Sequence, residues 1–120
     1  MVRGEYLTKT EQYALVYREG SSWVDRLVVM KALPNSLDLT RCGFSVSRRV
    51  GSAVVRNRVK RRLREILRLT PLPSGWDIVF IARPRVAAAR YDNIEKSVRG
   101  LLARAGLLTE KYEETCLRTN

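Results

Sequence analysis

The chain has 120 residues, of which 45% are hydrophobic and 29% charged, a balance that suits one domain with its own core and excludes an intrinsically disordered segment. It has no histidine and two widely separated cysteines, Cys42 and Cys116, that form no Cys-x-x-Cys pair; a zinc site, a disulfide framework and a histidine acid or base are therefore not expected. The 23 Lys and Arg against 12 Asp and Glu leave a formal charge of +11, which calls for a polyanionic partner, and no stretch approaches the ~20 apolar residues needed to span a bilayer.

The opening Met-Val-Arg-Gly-Glu-Tyr lacks a long apolar core, so no secretory signal is expected and the thiols are read as reduced, in a cytoplasmic protein. Thr8-x-x-Glu11 has the form of a capping box. Tyr13, Val16 and Tyr17 then recur at helical spacing and Gly20 can end the element, which predicts a helix over about 10–19. Leu27-Val-Val-Met-Lys-Ala reads as a strand closed by a turn at Leu33-Pro34-Asn35-Ser36. From Arg41 to Ser47 the residues alternate, with Cys42, Phe44 and Val46 on one face and Gly43, Ser45 and Ser47 on the other.

The segment Arg48–Arg68 carries nine Lys or Arg against the single Glu65, or +8 of the net +11. At about 100° per residue, Val55, Val59, Leu63, Ile66 and Leu67 gather into one apolar stripe, Asn57, Arg61, Arg64 and Arg68 line the opposite side, and Arg56, Arg58, Lys60 and Arg62 fall on the flanks. Such a helix seats one face on a core and presents a cationic wall. Glu65 is placed to support that wall by pairing with Arg61 or Arg62.

Pro71-Leu-Pro-Ser-Gly75 breaks the chain before Trp76–Ala82, whose nearly unbroken apolar run predicts a central strand buried on both faces. From about Asp92, Ile94, Val98, Leu101 and Leu102 form a last helical stripe, with Gly106 suited to its C-cap. A single domain over 1–120 is expected, with residues 1–7 and 110–120 as flexible ends. The order helix, strand, strand, basic helix, strand, helix, with room for a short strand between 20 and 47, predicts an α/β sandwich of α+β type: two layers, a small mixed sheet packed with helices.

The run Gly43-Phe-Ser-Val-Ser-Arg-Arg-Val-Gly51 through Arg56-Asn57-Arg58, Lys60-Arg61 and Arg64-Glu65 closely resembles the signature of the protein subunit of bacterial ribonuclease P. Tyr13, Val16, Tyr17 and Gly20, Arg26, and Asp77-Ile-Val-Phe-Ile-Ala-Arg83-Pro84 match that family at the expected relative positions. The resemblance implies a non-catalytic protein cofactor of a ribozyme. The RNA subunit removes the 5′ leader of precursor tRNA with bound Mg2+, and the basic helix rides in a left-handed β-α-β crossover, against the general rule of handedness.

What the resemblance implies for residues is as follows. Arg48, Arg49, Arg56, Asn57, Arg58, Lys60, Arg61, Arg62 and Arg64 would contact the catalytic RNA; Tyr13, Tyr17, Ser45 and Ser47 would line a leader-binding cleft; Glu65 would be structural support. No catalytic or metal-binding residue is assigned to the protein, and the partners are ribonuclease P RNA and precursor tRNA, not membrane or DNA. Arginine suits this role because its planar fork grips phosphate at two points and stacks on bases, and tyrosines one turn apart suit stacking on unpaired nucleotides. The family usually has phenylalanine where Tyr13 and Tyr17 stand, and some relatives have an aromatic at Lys31, so the added hydroxyls and the lost ring bear on leader preference.

The residues alone leave other readings open. An aromatic pair at this spacing is often core packing, and a basic helix also suits a structural, ribosomal-type RNA-binding protein. A DNA-binding regulator fits less well, since the charge surrounds the helix broadly and no helix-turn-helix partner precedes it.

Overall fold

The computed structural model describes residues 5–108. The elements are β1 (Glu5–Tyr6), α1 (Thr10–Glu19), β2 (Ser21–Val24), β3 (Val28–Pro34), β4 (Arg41–Ser45), α2 (Ala53–Arg68), β5 (Trp76–Ala82) and α3 (Tyr91–Arg104), with 3-10 turns at Arg48–Val50 and Pro84–Ala88. One mixed sheet has the order β1-β4-β5-β3-β2: β4 runs parallel to both β1 and β5, whereas β3 is antiparallel to β5 and to β2. The α+β class and the buried central position of β5 agree with the sequence reading.

Side-chain alternation on β5 explains why its apolar run is unbroken. Ile78 and Phe80 enter the main core with Met30, Val59, Leu63, Ile66, Ile94 and Leu102, while Val79 joins Leu7 and Val16 in a smaller cluster on the opposite face. Helices thus cover both faces, α1 on one side and α2 with α3 on the other, so the layers number three where two were expected, because both faces of β5 are apolar. Complete burial of each large side chain contributes about 1.5–3 kcal/mol, so Phe80 and its neighbours hold the helices to the sheet.

The hand of the β4-α2-β5 crossover follows from Cys42. Its side chain lies in the core beneath α2, and its carbonyl accepts the Leu7 N–H at 2.9 Å, so that carbonyl points towards β1. For an L-residue seen from its side-chain face with the strand running upward, the carbonyl points right; β1 is therefore to the right of β4 and β5 to the left. The chain rises through β4, returns in front through α2 and rises again on the left. The crossover is left-handed, the exception to the usual rule.

Four local expectations are revised. The N-cap of α1 is Lys9, and Gln12 rather than Glu11 closes it, its Oε1 accepting from the N–H groups of Thr8 (2.9 Å) and Lys9 (3.0 Å). Residues 5–7, placed by sequence in a loose end, form β1 and the buried Leu7. β4 ends at Ser45, two residues early, because Ser47 opens the 3-10 turn. The strand predicted from Leu27 runs from Val28 to Pro34. The C-terminal stop of α3 is as expected: Gly106 has φ +72, and bonds from Gly106 N–H to Ala103 O and Leu107 N–H to Leu102 O complete a Schellman motif. Cys116 and the expected flexible end at 110–120 lie outside the described residues.

Candidate RNA interface

Helix α2 starts where Ser52 Oγ accepts the Val55 N–H at 3.4 Å, and it buries Val59, Leu63, Ile66 and Leu67. That apolar stripe fixes its rotation and sets out the cations. Arg48, Arg49, Asn57, Arg61 and Arg64 are exposed, and Arg56, Arg58, Lys60 and Arg62 are half-buried. Of the nine Lys and Arg between positions 48 and 68, only Arg68 has a carboxylate within 4.0 Å among the described residues. The wall is thus an open positive field, not an internal ion-pair network.

The carboxylate that reaches Arg68 is Glu65, which corrects the expectation that it supports Arg61 or Arg62. Arg68 Nη2 donates to Glu65 Oε2 at 2.8 Å and Nε to Oε1 at 3.3 Å. Arg62 instead turns to the Ala89 carbonyl (3.4 Å), and Arg58 to that of Ala87 (3.3 Å). These two guanidiniums tie α2 to the Pro84–Ala88 turn, while Arg56 Nε donates to the Gly51 carbonyl at 3.2 Å. The Nε of Arg58 is buried with no hydrogen-bond partner among the described residues. Backbone carbonyls orient these side chains without neutralising them.

On the other face of the sheet, Tyr13 is half-buried and Tyr17 exposed, their rings 6.4 Å apart and tilted by 48°. Gly43 admits the Tyr13 ring: a Cβ there would lie 2.7 Å from it. Ser45 is half-buried and, by alternation, shares this face with Gly43; Ser47 is exposed beyond the end of β4. The structure therefore brings Tyr13, Tyr17 and Ser45 to one face and the cations of α2 to the other, and the two sets meet around the edge of β4.

The comparisons with known proteins agree on one assignment. A family model described as Ribonuclease P matches residues 1–106. The chain is 47% identical over 120 residues, all of both chains, to the "Ribonuclease P protein component" of Dehalococcoides mccartyi strain CBDB1. The chain belongs to the ribonuclease P protein family. The fold agrees: the ribonuclease P protein of Staphylococcus aureus superposes with a TM-score of 0.80 at 28% identity, covering 89% of this chain and 100% of that one. That of Thermotoga maritima gives 0.76 at 31%, covering 83% and 96%.

As a ribonuclease P protein, the chain is the protein subunit of a ribonucleoprotein endonuclease whose RNA carries the catalysis. Lys31 and Tyr13 have internal uses. Lys31 Nζ donates to the Tyr17 carbonyl at 3.0 Å, placing a cation at the negative end of α1. The Tyr13 hydroxyl accepts the Phe44 N–H at 3.3 Å on the exposed edge of β4. Sequence reading missed Tyr6, because a two-residue strand has no periodicity to detect; its ring lies 6.0 Å from that of Phe44, with the Arg64 guanidinium over both. Among the described residues there is no group of three or more His, Cys, Asp or Glu able to hold a metal, and no helix is long and apolar enough to cross a membrane.

Proposed function

We propose that α2 and the preceding 3-10 turn dock on the catalytic RNA through Arg48, Arg49, Arg56, Asn57, Arg58, Lys60, Arg61, Arg62 and Arg64. Tyr13, Tyr17, Ser45 and Ser47 receive the unpaired 5′ leader of precursor tRNA. The observation that carries this reading is the absence, among the described residues, of any carboxylate within 4.0 Å of eight of the nine cations between 48 and 68. A field of this kind gains affinity by releasing counterions condensed on phosphates, and it loses that affinity as salt rises. Asn57 can both donate and accept, which suits a ribose 2′-hydroxyl beside the phosphates that the arginines grip.

In this reading Mg2+ is held by the RNA, and the protein contributes affinity and placement. The setting is cytoplasmic, where Cys42 stays a reduced, buried thiol. The test is reconstitution with a bacterial ribonuclease P RNA, assayed on precursor tRNA at low Mg2+. The expected outcome is faster cleavage than with RNA alone; equal rates would overturn the reading.

A further inference from the structure

The two halves of the interface lie on opposite faces of the sheet, and a pocket of about 440 Å3 joins them at the edge of β4. β1 covers that edge only as far as Tyr6 opposite Cys42, and the last ladder bond runs from Leu7 N–H to the Cys42 carbonyl. Beyond it, Tyr6, Leu7, Tyr13, Phe44, Lys60 and Arg64 line a space within the usual range for small-ligand sites.

Its walls are built differently from its rim. Phe44 stacks on the fully buried Phe80 (centroids 6.3 Å apart, 21° between planes), so it is held firmly from behind. Tyr6 is tilted 55° to it and 52% exposed, unusual for an aromatic beside a core. The Arg64 guanidinium sits 5.6 Å from the Tyr6 centroid and 5.9 Å from that of Phe44, with no carboxylate within 4.0 Å among the described residues. Lys60 precedes it by four residues, so both cations project from the same side of α2. An exposed ring and a half-buried one, beside cations with no carboxylate within 4.0 Å among the described residues, match a nucleotide, with its base on the rings and its phosphate on the guanidinium.

We propose that this pocket holds one unpaired nucleotide, its base against Tyr6 and Phe44 and its phosphate on Arg64 and Lys60. The inference rests on the RNA-binding reading above and adds a subsite that links the cationic helix to the cleft behind the sheet. The nucleotide comes from the catalytic RNA or from the leader, which share this chemistry.

Tyr6→Leu keeps the apolar contact and removes the ring, whereas Tyr6→Phe keeps the ring. Affinity is measured for the catalytic RNA and, in the reconstituted holoenzyme, for leader-bearing and mature tRNA. Tyr6→Leu is expected to weaken one of these by about fivefold or more, with Tyr6→Phe close to wild type. A loss on the catalytic RNA assigns the nucleotide to it; a loss on precursor but not mature tRNA assigns it to the leader. If Tyr6→Leu binds every RNA normally while Arg61→Ala still weakens the catalytic RNA, the pocket is overturned and the parent reading stands. An equal loss in Tyr6→Phe also overturns the pocket, because the ring is still there. If Arg61→Ala is silent as well, both readings fall.

Discussion

The Tyr13 hydroxyl stands where a neighbouring strand would otherwise be, accepting the N–H of Phe44 at 3.3 Å just past the end of the β1–β4 ladder. It ties the first helix to the sheet edge through a backbone group that would otherwise rely on solvent. Tyr13→Phe keeps the ring and removes this bond, so it is expected to destabilise the protein by about 1 kcal/mol with little loss of stacking on RNA. Gly43→Ala acts on the same pair from below by displacing the ring, at a cost of about 1–3 kcal/mol. Urea denaturation measures both, and a neutral Gly43→Ala would contradict the close approach.

Arg61 and Arg58 separate charge from architecture. Arg61 is exposed, so Arg61→Ala is expected to change stability by less than about 0.5 kcal/mol while reducing the salt slope of RNA binding by about one phosphate. Arg58 also donates to Ala87 O, so Arg58→Ala should lose about 1 kcal/mol of stability in addition to RNA affinity. Salt titrations paired with denaturation curves distinguish the two; identical behaviour would show that the internal bond contributes nothing.

Arg41 and Asp77 form a bidentate pair at the start of β5, with contacts of 2.8 and 2.6 Å, and Asn35 Nδ2 adds a third bond to the same carboxylate at 2.8 Å. The Asp77 side chain is only 4% exposed. Asp77→Ala removes the two charge-assisted bonds from Arg41 and the one from Asn35 at a buried position, and a loss of about 1.5–3 kcal/mol is expected in thermal or urea unfolding. A loss below about 1 kcal/mol would mean that water readily replaces the carboxylate.

Burial, with a smaller contribution from the Asp77 charge, pushes the Cys42 thiol from 9.0 up to about 12. The folded state therefore keeps its proton at pH values where the unfolded chain has released it. Stability from this group is complete below pH 9 and is lost as pH rises towards 12, by up to roughly 4 kcal/mol. In a Cys116→Ser background, the fall in unfolding free energy between pH 8 and pH 11 should be steeper with Cys42 than with Cys42→Ala. Parallel profiles would sink the prediction.

Much of this was legible in the sequence. The apolar stripe from Val59 to Leu67 and the unbroken run of β5 specified a helix and a central strand, because 3.6-residue and two-residue periodicities are local properties of a chain. The charge between 48 and 68 marked the cationic face in the same way. Glu65 shows where local reasoning stopped: Arg61, Arg62 and Arg68 were all within its reach along the helix, and the Ala89 carbonyl, 27 residues from Arg62, drew that guanidinium elsewhere.

The sequence by itself determined the helices, the central strand and the concentration of charge, each a matter of neighbours along the chain. Only the tertiary structure decided the hand of the crossover, the Tyr13 bond to Phe44 and the meeting of Tyr6, Phe44 and Arg64 at one edge. Those depend on which strands lie side by side, a choice made by burial summed over the whole core and not by any local pattern.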